Sequence, residues 1–281
     1  SAASDVYKRQ KAYWAQFPGL KERLASYNKF VEKKLCGFNQ EVYNFGLVDD
    51  DKEAREAGEF FKRNDVDLIF LHLATYATSA AVVPVHQICG APTVILSLQP
   101  GLRINYEKTT TGEWLAHCNA CVAPEISNAF NRCGIKYRVV SGLLGLDKTP
   151  EISVTEENTA ARHEAVRAWK EAEEWARAAS AVRTLRYARF GFLGNTYSGM
   201  LDLYSDFTMI QSQTGAHIEV LEMCDLKKCL DRVKKEDILA AREEISKFFK
   251  IGGDSPSDPL AKKPTDEQLN WSATCLLYTS D

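Results

Sequence analysis

The chain has no apolar run approaching the ~18 residues that a membrane-spanning helix needs, so an integral helical membrane protein is not expected. It has no large charge excess either. Thirty-five Lys and Arg stand against 38 Asp and Glu, a formal charge of −3, and that balance favours neither nucleic acid nor an anionic membrane surface. Eight cysteines are present but lack the spacing of a disulfide framework, so reduced thiols in a cytoplasmic setting are expected. Neither GxGxxG nor a phosphate loop ending in GK[ST] occurs, so no nucleotide site follows. There is no internal repeat, and no nucleophile–His–acid set can be assembled from sequence order. What is there suits a globular chain of one or two domains: 281 residues, 45% hydrophobic and 26% charged.

Both ends read as foreign. Residues 1–10, SAASDVYKRQ, and residues 275–281, CLLYTSD, are translations of one DNA sequence and of its reverse complement. That sequence resembles a transposon-type sequencing adapter, and such segments are set aside from fold reasoning. The natural part is then expected to span about residues 11–274, a piece of a gene.

In chain order, Leu20, Leu24, Tyr27 and Val31 share one helical face, and Gly37 ends that helix. Residues 41–48 read as a strand. Asp49, Asp50 and Asp51 can cap a helix over residues 52–63, with Ala54, Ala57, Phe60 and Phe61 turned inward. Residues 67–73, DLIFLHL, form the continuous apolar run of a strand covered on both faces. A helix over residues 80–89, a strand over 92–98, a helix over 114–133 and a strand over 136–140 follow. This β-α-β-α alternation predicts a doubly wound parallel α/β domain over residues 11–154. Its ligand edge would gather residues 74–79, residues 99–106 and the loop after Val140.

Residues 155–182 read as a helix connecting to a second, incomplete α/β domain over 183–274. Val166, Trp169, Ala172, Ala176 and Ala179 lie on its apolar face. The second domain opens with LRYARFGFLGNTYSGMLDLYSD, residues 185–206. A strand over 185–190 would run through a turn containing Gly191, Gly194 and Gly199 toward a helix at Met200, Leu201 and Tyr204. Glycines there let the backbone approach a ligand. A strand over 217–223, helices over 226–233 and 236–249, and an exposed connection over 251–264 complete it.

Several chemistry-bearing residues read first as ordinary. Cys118 and Cys121 form CxxC beside His117, but within a helical pattern and without a second ligand pair at zinc-finger spacing. His72 reads as a core histidine with its nitrogen satisfied, and His86, His163 and His217 as surface or strand positions. From its residues alone, the chain is an α/β protein with a small polar ligand and no visible catalyst.

Longer blocks add a resemblance. YWAQFPGLKERLASY from Tyr13, GLVDDDKEAREAG, DVDLIFLHLATYA, TGEWLAHCNACVAPEI, GNTYSGMLDLYSDFT and HIEVLEMCDL resemble the L-arabinose isomerase family, related to L-fucose isomerases. The similarity covers most of residues 11–233. It implies a cytoplasmic aldose–ketose isomerase that uses a divalent cation, usually Mn²⁺. It also implies α/β domains assembled into trimers or hexamers with active sites shared between subunits. The family's substrate-pocket positions fall on Tyr76, where relatives more often have Phe, and on Gln99, His117 and Met200. His117 would reach a neighbouring subunit's site and so be partly exposed in a single chain. The family's RFG is present as Arg189, Phe190 and Gly191. Trp114 stands where the family has a glutamine, which leaves the sugar open. The two glutamates and two histidines that hold the metal and move the proton fall beyond Thr274.

Moving a carbonyl between C1 and C2 requires a base for the C2 proton, an acid for the oxygens and a cation for the developing charge. Carboxylates and imidazoles at a hard divalent ion supply all three. The residues present here would shape the sugar's side of the pocket. The resemblance therefore implies the substrate-binding, oligomer-forming part of an isomerase that is inactive alone, with a small sugar and further copies of the chain as its partners. The alternative is a non-catalytic sugar-binding or regulatory α/β protein. The sequence past Thr274 discriminates the two, since an isomerase must supply the metal ligands there.

Overall fold

A computed structural model describes residues 14–119, 121–153, 157–193, 199–200, 204–250, 252–255, 257, 259 and 262–277. The chain is a mixed α/β protein that divides into two compact units, Ser1–Arg183 and Thr184–Asp281. No described helix is long and apolar enough to cross a membrane.

In the first unit, α1 (Leu20–Cys36) and α2 (Asp51–Arg63) precede a parallel sheet of β1 (Ile69–His72), β2 (Thr93–Gln99) and β3 (Tyr137–Leu143), in the order β1-β2-β3. The connections are α3 (Val83–Cys89) between β1 and β2, then α4 (Thr111–Leu115) and α5 (Val122–Cys133) between β2 and β3. The long α6 (His163–Tyr187) follows. Both faces of β2 are covered, as its apolar run requires. Val94, Leu96 and Leu98 pack with Leu24 and Tyr27 of α1 and Trp169 of α6. Ile95, on the opposite pleat, packs with Val122, Ile126 and Phe130 of α5.

α6 lies close enough on β3 to demand glycine there. A Cβ at Gly142 would run into the Glu164 carbonyl oxygen and come within 2.8 Å of Ala168 Cβ. The Trp169 indole anchors the contact by donating to the Leu144 carbonyl at 2.8 Å. The buried stripe of α6 is Ala165, Ala168, Trp169, Ala172 and Ala176, whereas Val166 is 54% exposed and belongs to the outer face. Toward its end, Arg183 reaches back to Asp65 and Asp67 in the turn before β1, each at 3.1 Å.

The expected strand over 41–48 is not formed. That segment is irregular, with Gly46 at φ +102°, and makes no ladder with β1. Between it and β1 lies a cavity of about 430 Å³, lined by Phe45, Leu47, Phe70, His72, Val85 and others. Alternation along the β1–β2 ladder turns the backbone N–H groups of Phe70 and His72 away from β2, toward this open edge.

The expected helix over 114–133 is two helices. Pro124 has no N–H, and inside a continuous helix its ring would meet the carbonyl four residues back. It is accommodated in the first turn of α5, where that donor would be unpaired in any case.

The second unit contains β4 (Arg189–Leu193), α7 (Phe207–Thr214), β5 (His217–Leu221), α8 (Met223–Leu230), α9 (Lys235–Phe248) and α10 (Asp266–Leu277). β4 and β5 pair in parallel. Residues 185–187, expected to open the first strand, are instead the last turn of α6. α7 and α10 are additional to the elements expected from sequence. α10 runs on through Cys275 into the stretch read as foreign, while residues 1–13 and 278–281 lie outside the described residues. Phe192 stacks edge-on against Phe207 at 5.0 Å, but Phe190, Leu193 and Val220 remain 42–55% exposed.

Candidate functional site

β1 and β2 run in parallel, so the residues following them emerge at one edge of the sheet, where ligands of open α/β sheets collect. Tyr76 lies just beyond β1 and Gln99 closes β2. The turn between α4 and α5 is tied to the same edge by two side chains. Thr75 Oγ1 donates to the Leu115 carbonyl at 2.8 Å, and Asn119 Nδ2 donates to the Leu98 carbonyl at 2.7 Å. The edge thus gathers Tyr76, Gln99 and His117. Met200 belongs to the second unit, where it is 45% exposed. The glycine-rich turn before it, residues 194–198, lies outside the described residues.

Each side chain has a local reason for its pose. The Tyr76 hydroxyl donates to Glu125 Oε2 at 3.2 Å, and the other oxygen of that carboxylate accepts from the Ser79 N–H at 3.0 Å. His117, expected to be partly exposed, is only 9% exposed. Its Nδ1 lies 3.0 Å from the Glu113 carbonyl oxygen. A carbonyl only accepts, so Nδ1 carries the proton and Nε2 is left as an acceptor. Burial lowers the proton affinity of the ring below the ordinary histidine value, which keeps it neutral. Nε2 is buried and has no partner among the described residues.

Asn119 repeats the arrangement. It is 2% exposed, and with its amide nitrogen committed to Leu98, its Oδ1 is buried without a donor among the described residues. Two buried acceptors on one turn at the carboxyl edge of the sheet thus lack a donor among the described residues. Sequence reasoning missed Asn119. Its signal was a short amide in an otherwise apolar stretch, next to a histidine already singled out. Trp114, standing where the family has glutamine, is 46% exposed.

An ion pair flanks the turn. The guanidinium of Arg23 on α1 holds the Glu113 carboxylate by two nitrogens, one at 2.8 Å. This hydrogen bonding lowers the Glu113 pKa from the usual carboxylate value. Beside it lies a polar hollow of about 390 Å³, lined by Tyr27, Lys148, Thr149 and Glu151. The larger cavity along β1 is a separate feature. None of Tyr76, Gln99 and His117 lines it, and apolar side chains predominate there.

Two other histidines depart from expectation. His72 lines that cavity, and desolvation pushes its pKa down to about 4. His86 is buried in α3 rather than exposed. Its Nδ1 lies 2.6 Å from Thr93 Oγ1, its ring packs edge-on against Phe130, and burial brings its pKa to about 4. His163 and His217 are exposed.

Among the described residues, one carboxylate group, Asp49, Asp50 and Glu53, has ligand atoms within 4.8 Å of one another. It is a helix cap. Asp50 Oδ1 accepts from the Glu53 N–H, Glu53 Oε2 from the Asp49 N–H, and Asp49 Oδ2 from the Trp14 indole. The positive end of α2 suits carboxylates and opposes a cation, so the group does not fit Mn²⁺.

No protein-family model matches the chain, and no curated protein matches it.

Proposed function

We propose that this chain is the sugar-binding part of a metal-dependent aldose–ketose isomerase acting on L-arabinose, L-fucose or a similar sugar. One observation carries the reading. His117 Nε2 and Asn119 Oδ1 are buried acceptors without donors, at the edge where a parallel sheet collects its ligands. A polyol brings hydroxyl donors to such acceptors, and leaving them unpaired costs about 1–3 kcal/mol each. Tyr76 and Gln99 at the same edge supply a ring face and an amide to orient the sugar. The resemblance of the blocks around Tyr13, Leu71, Glu113 and Asn195 supports the same reading and adds Met200 as a further pocket residue.

The rest of the proposal follows from that family. The whole protein works in the cytoplasm as a trimer or hexamer, and Mn²⁺ is held by residues beyond Thr274. When bound, the cation would polarise the sugar carbonyl. The residues present here bind and orient hydroxyls. The first unit is then a doubly wound domain, a reading that the helices packed on both faces of β2 support.

The test is direct. With Mn²⁺ and L-arabinose or L-fucose, this chain is expected to yield no ketose, and the continued reading frame is expected to encode two glutamates and two histidines. Turnover by this chain overturns the placement of the chemistry. A continuation without such ligands favours a non-catalytic sugar-binding protein.

A further inference from the structure

The two sulfurs that flank Asn119 are not used by the sugar reading. Cys118 Sγ and Cys121 Sγ lie 2.7 Å apart, and both are free thiols. A disulfide places its sulfurs about 2.05 Å apart, so bonding requires an approach of well under an ångström. The pair is also asymmetric. Cys118 is 6% exposed and sits under the 116–121 turn, while Cys121 is exposed and forms the N-cap of α5. A reagent in solution therefore meets Cys121 first, and Cys118 lies behind it.

We propose that Cys118 and Cys121 form a reversible disulfide by exchange with a low-molecular-weight disulfide such as oxidised glutathione. Cys121 gives its proton to solvent, and its thiolate attacks one sulfur of the reagent. The reagent's S–S bond breaks, and one reagent thiolate leaves and is protonated. Cys118 Sγ then bonds to Cys121 Sγ, the mixed disulfide breaks, and the second reagent thiolate leaves with the proton that Cys118 gives up. Two electrons and two hydrogens pass to the reagent, which becomes two thiols.

The surroundings favour that order. Burial, then the hydrogen bond and charge of Cys121, push the Cys118 thiol up to about 12, which keeps it unreactive toward outside reagents. This inference does not rest on the isomerase reading.

The test uses the whole chain and oxidised glutathione. Trypsin releases residues 109–132 as one peptide containing Cys118 and Cys121 and no other cysteine. After oxidation, that peptide is expected to be lighter by two hydrogens and closed to iodoacetamide, and dithiothreitol should restore both thiols. Cys118→Ser should stop at a glutathione adduct on Cys121, and Cys121→Ser should leave Cys118 unmodified. Should Cys118→Ser fail to fold by circular dichroism, the parent chain and Cys121→Ser decide the question. The proposal is overturned if both thiols remain open to alkylation in excess oxidised glutathione. It is equally overturned if the parent stops at the adduct, or if either sulfur pairs instead with another cysteine.

Discussion

Three imidazoles of the first unit, those of His72, His86 and His117, are withdrawn from water, and in each the largest influence is burial, which disfavours the protonated form. For His86 the consequence for stability can be followed. Its folded pKa, about 4, lies below the ordinary 6.5, so the folded state binds fewer protons than the unfolded chain. Stability from this group is complete above about pH 6.5 and is lost as the pH falls toward 4, by roughly 3 kcal/mol in all. Urea midpoints measured from pH 7.5 to 4.5 are expected to decline through that window. His86→Leu removes the titration and should shallow the decline, whatever it does to stability at pH 7.5. An unchanged slope in that variant would remove His86 from the account. At the same scale, the positions of Tyr76 and Gln99 were legible, because residues that end parallel strands are found by locating the strands. Asn119 was not legible, since its role depends on a carbonyl, Leu98, that is distant in sequence and becomes its partner only through folding.

Elements were legible wherever one face alone decides them. Leu20, Leu24, Tyr27 and Val31 mark α1, and the run ending in Leu73 marks β1. The boundaries that moved have physical causes. Pro124 splits the helix after Trp114, and helical spacing in α6 continues past Val182 to Tyr187 because charged and alanine-rich residues favour it. Residues 41–48 have the alternation of a strand but no ladder, which periodicity cannot reveal. Hydrogen exchange addresses that segment. Because residues 41–48 make no ladder with β1, the amides of Phe70 and His72 should exchange faster than those of Leu71 and Leu73, and equal protection of all four would show that the segment pairs with β1. Rapid exchange at Phe70 and His72 alone would leave the sheet at three strands.

The packing of α6 on β3 supplies a second measurement at this scale. Gly142→Ala forces a methyl group against Ala168 and the backbone of Glu164, and overpacking of this kind costs about 1–3 kcal/mol. A urea midpoint equal to the parent's would show that α6 has room to withdraw, contrary to the close approach described here.

At the scale of the whole molecule, the first unit has a three-stranded sheet with both faces of β2 covered, and the second has a two-stranded one with Phe190, Leu193 and Val220 left substantially exposed. Two strands bury little apolar surface by themselves. The sugar reading therefore rests on the first unit, and on its carboxyl edge in particular. Titrating L-arabinose and L-fucose into the chain labelled at histidine nitrogens examines that edge directly. With asparagine nitrogens labelled as well, the account predicts that the His117 Nε2 resonance moves saturably as a hydroxyl donates to it, together with the Asn119 side-chain amide, while His163 and His217 stay still. Unmoved His117 and Asn119 resonances at sugar concentrations that saturate binding elsewhere in the chain, or no binding of either sugar at all, would contradict it.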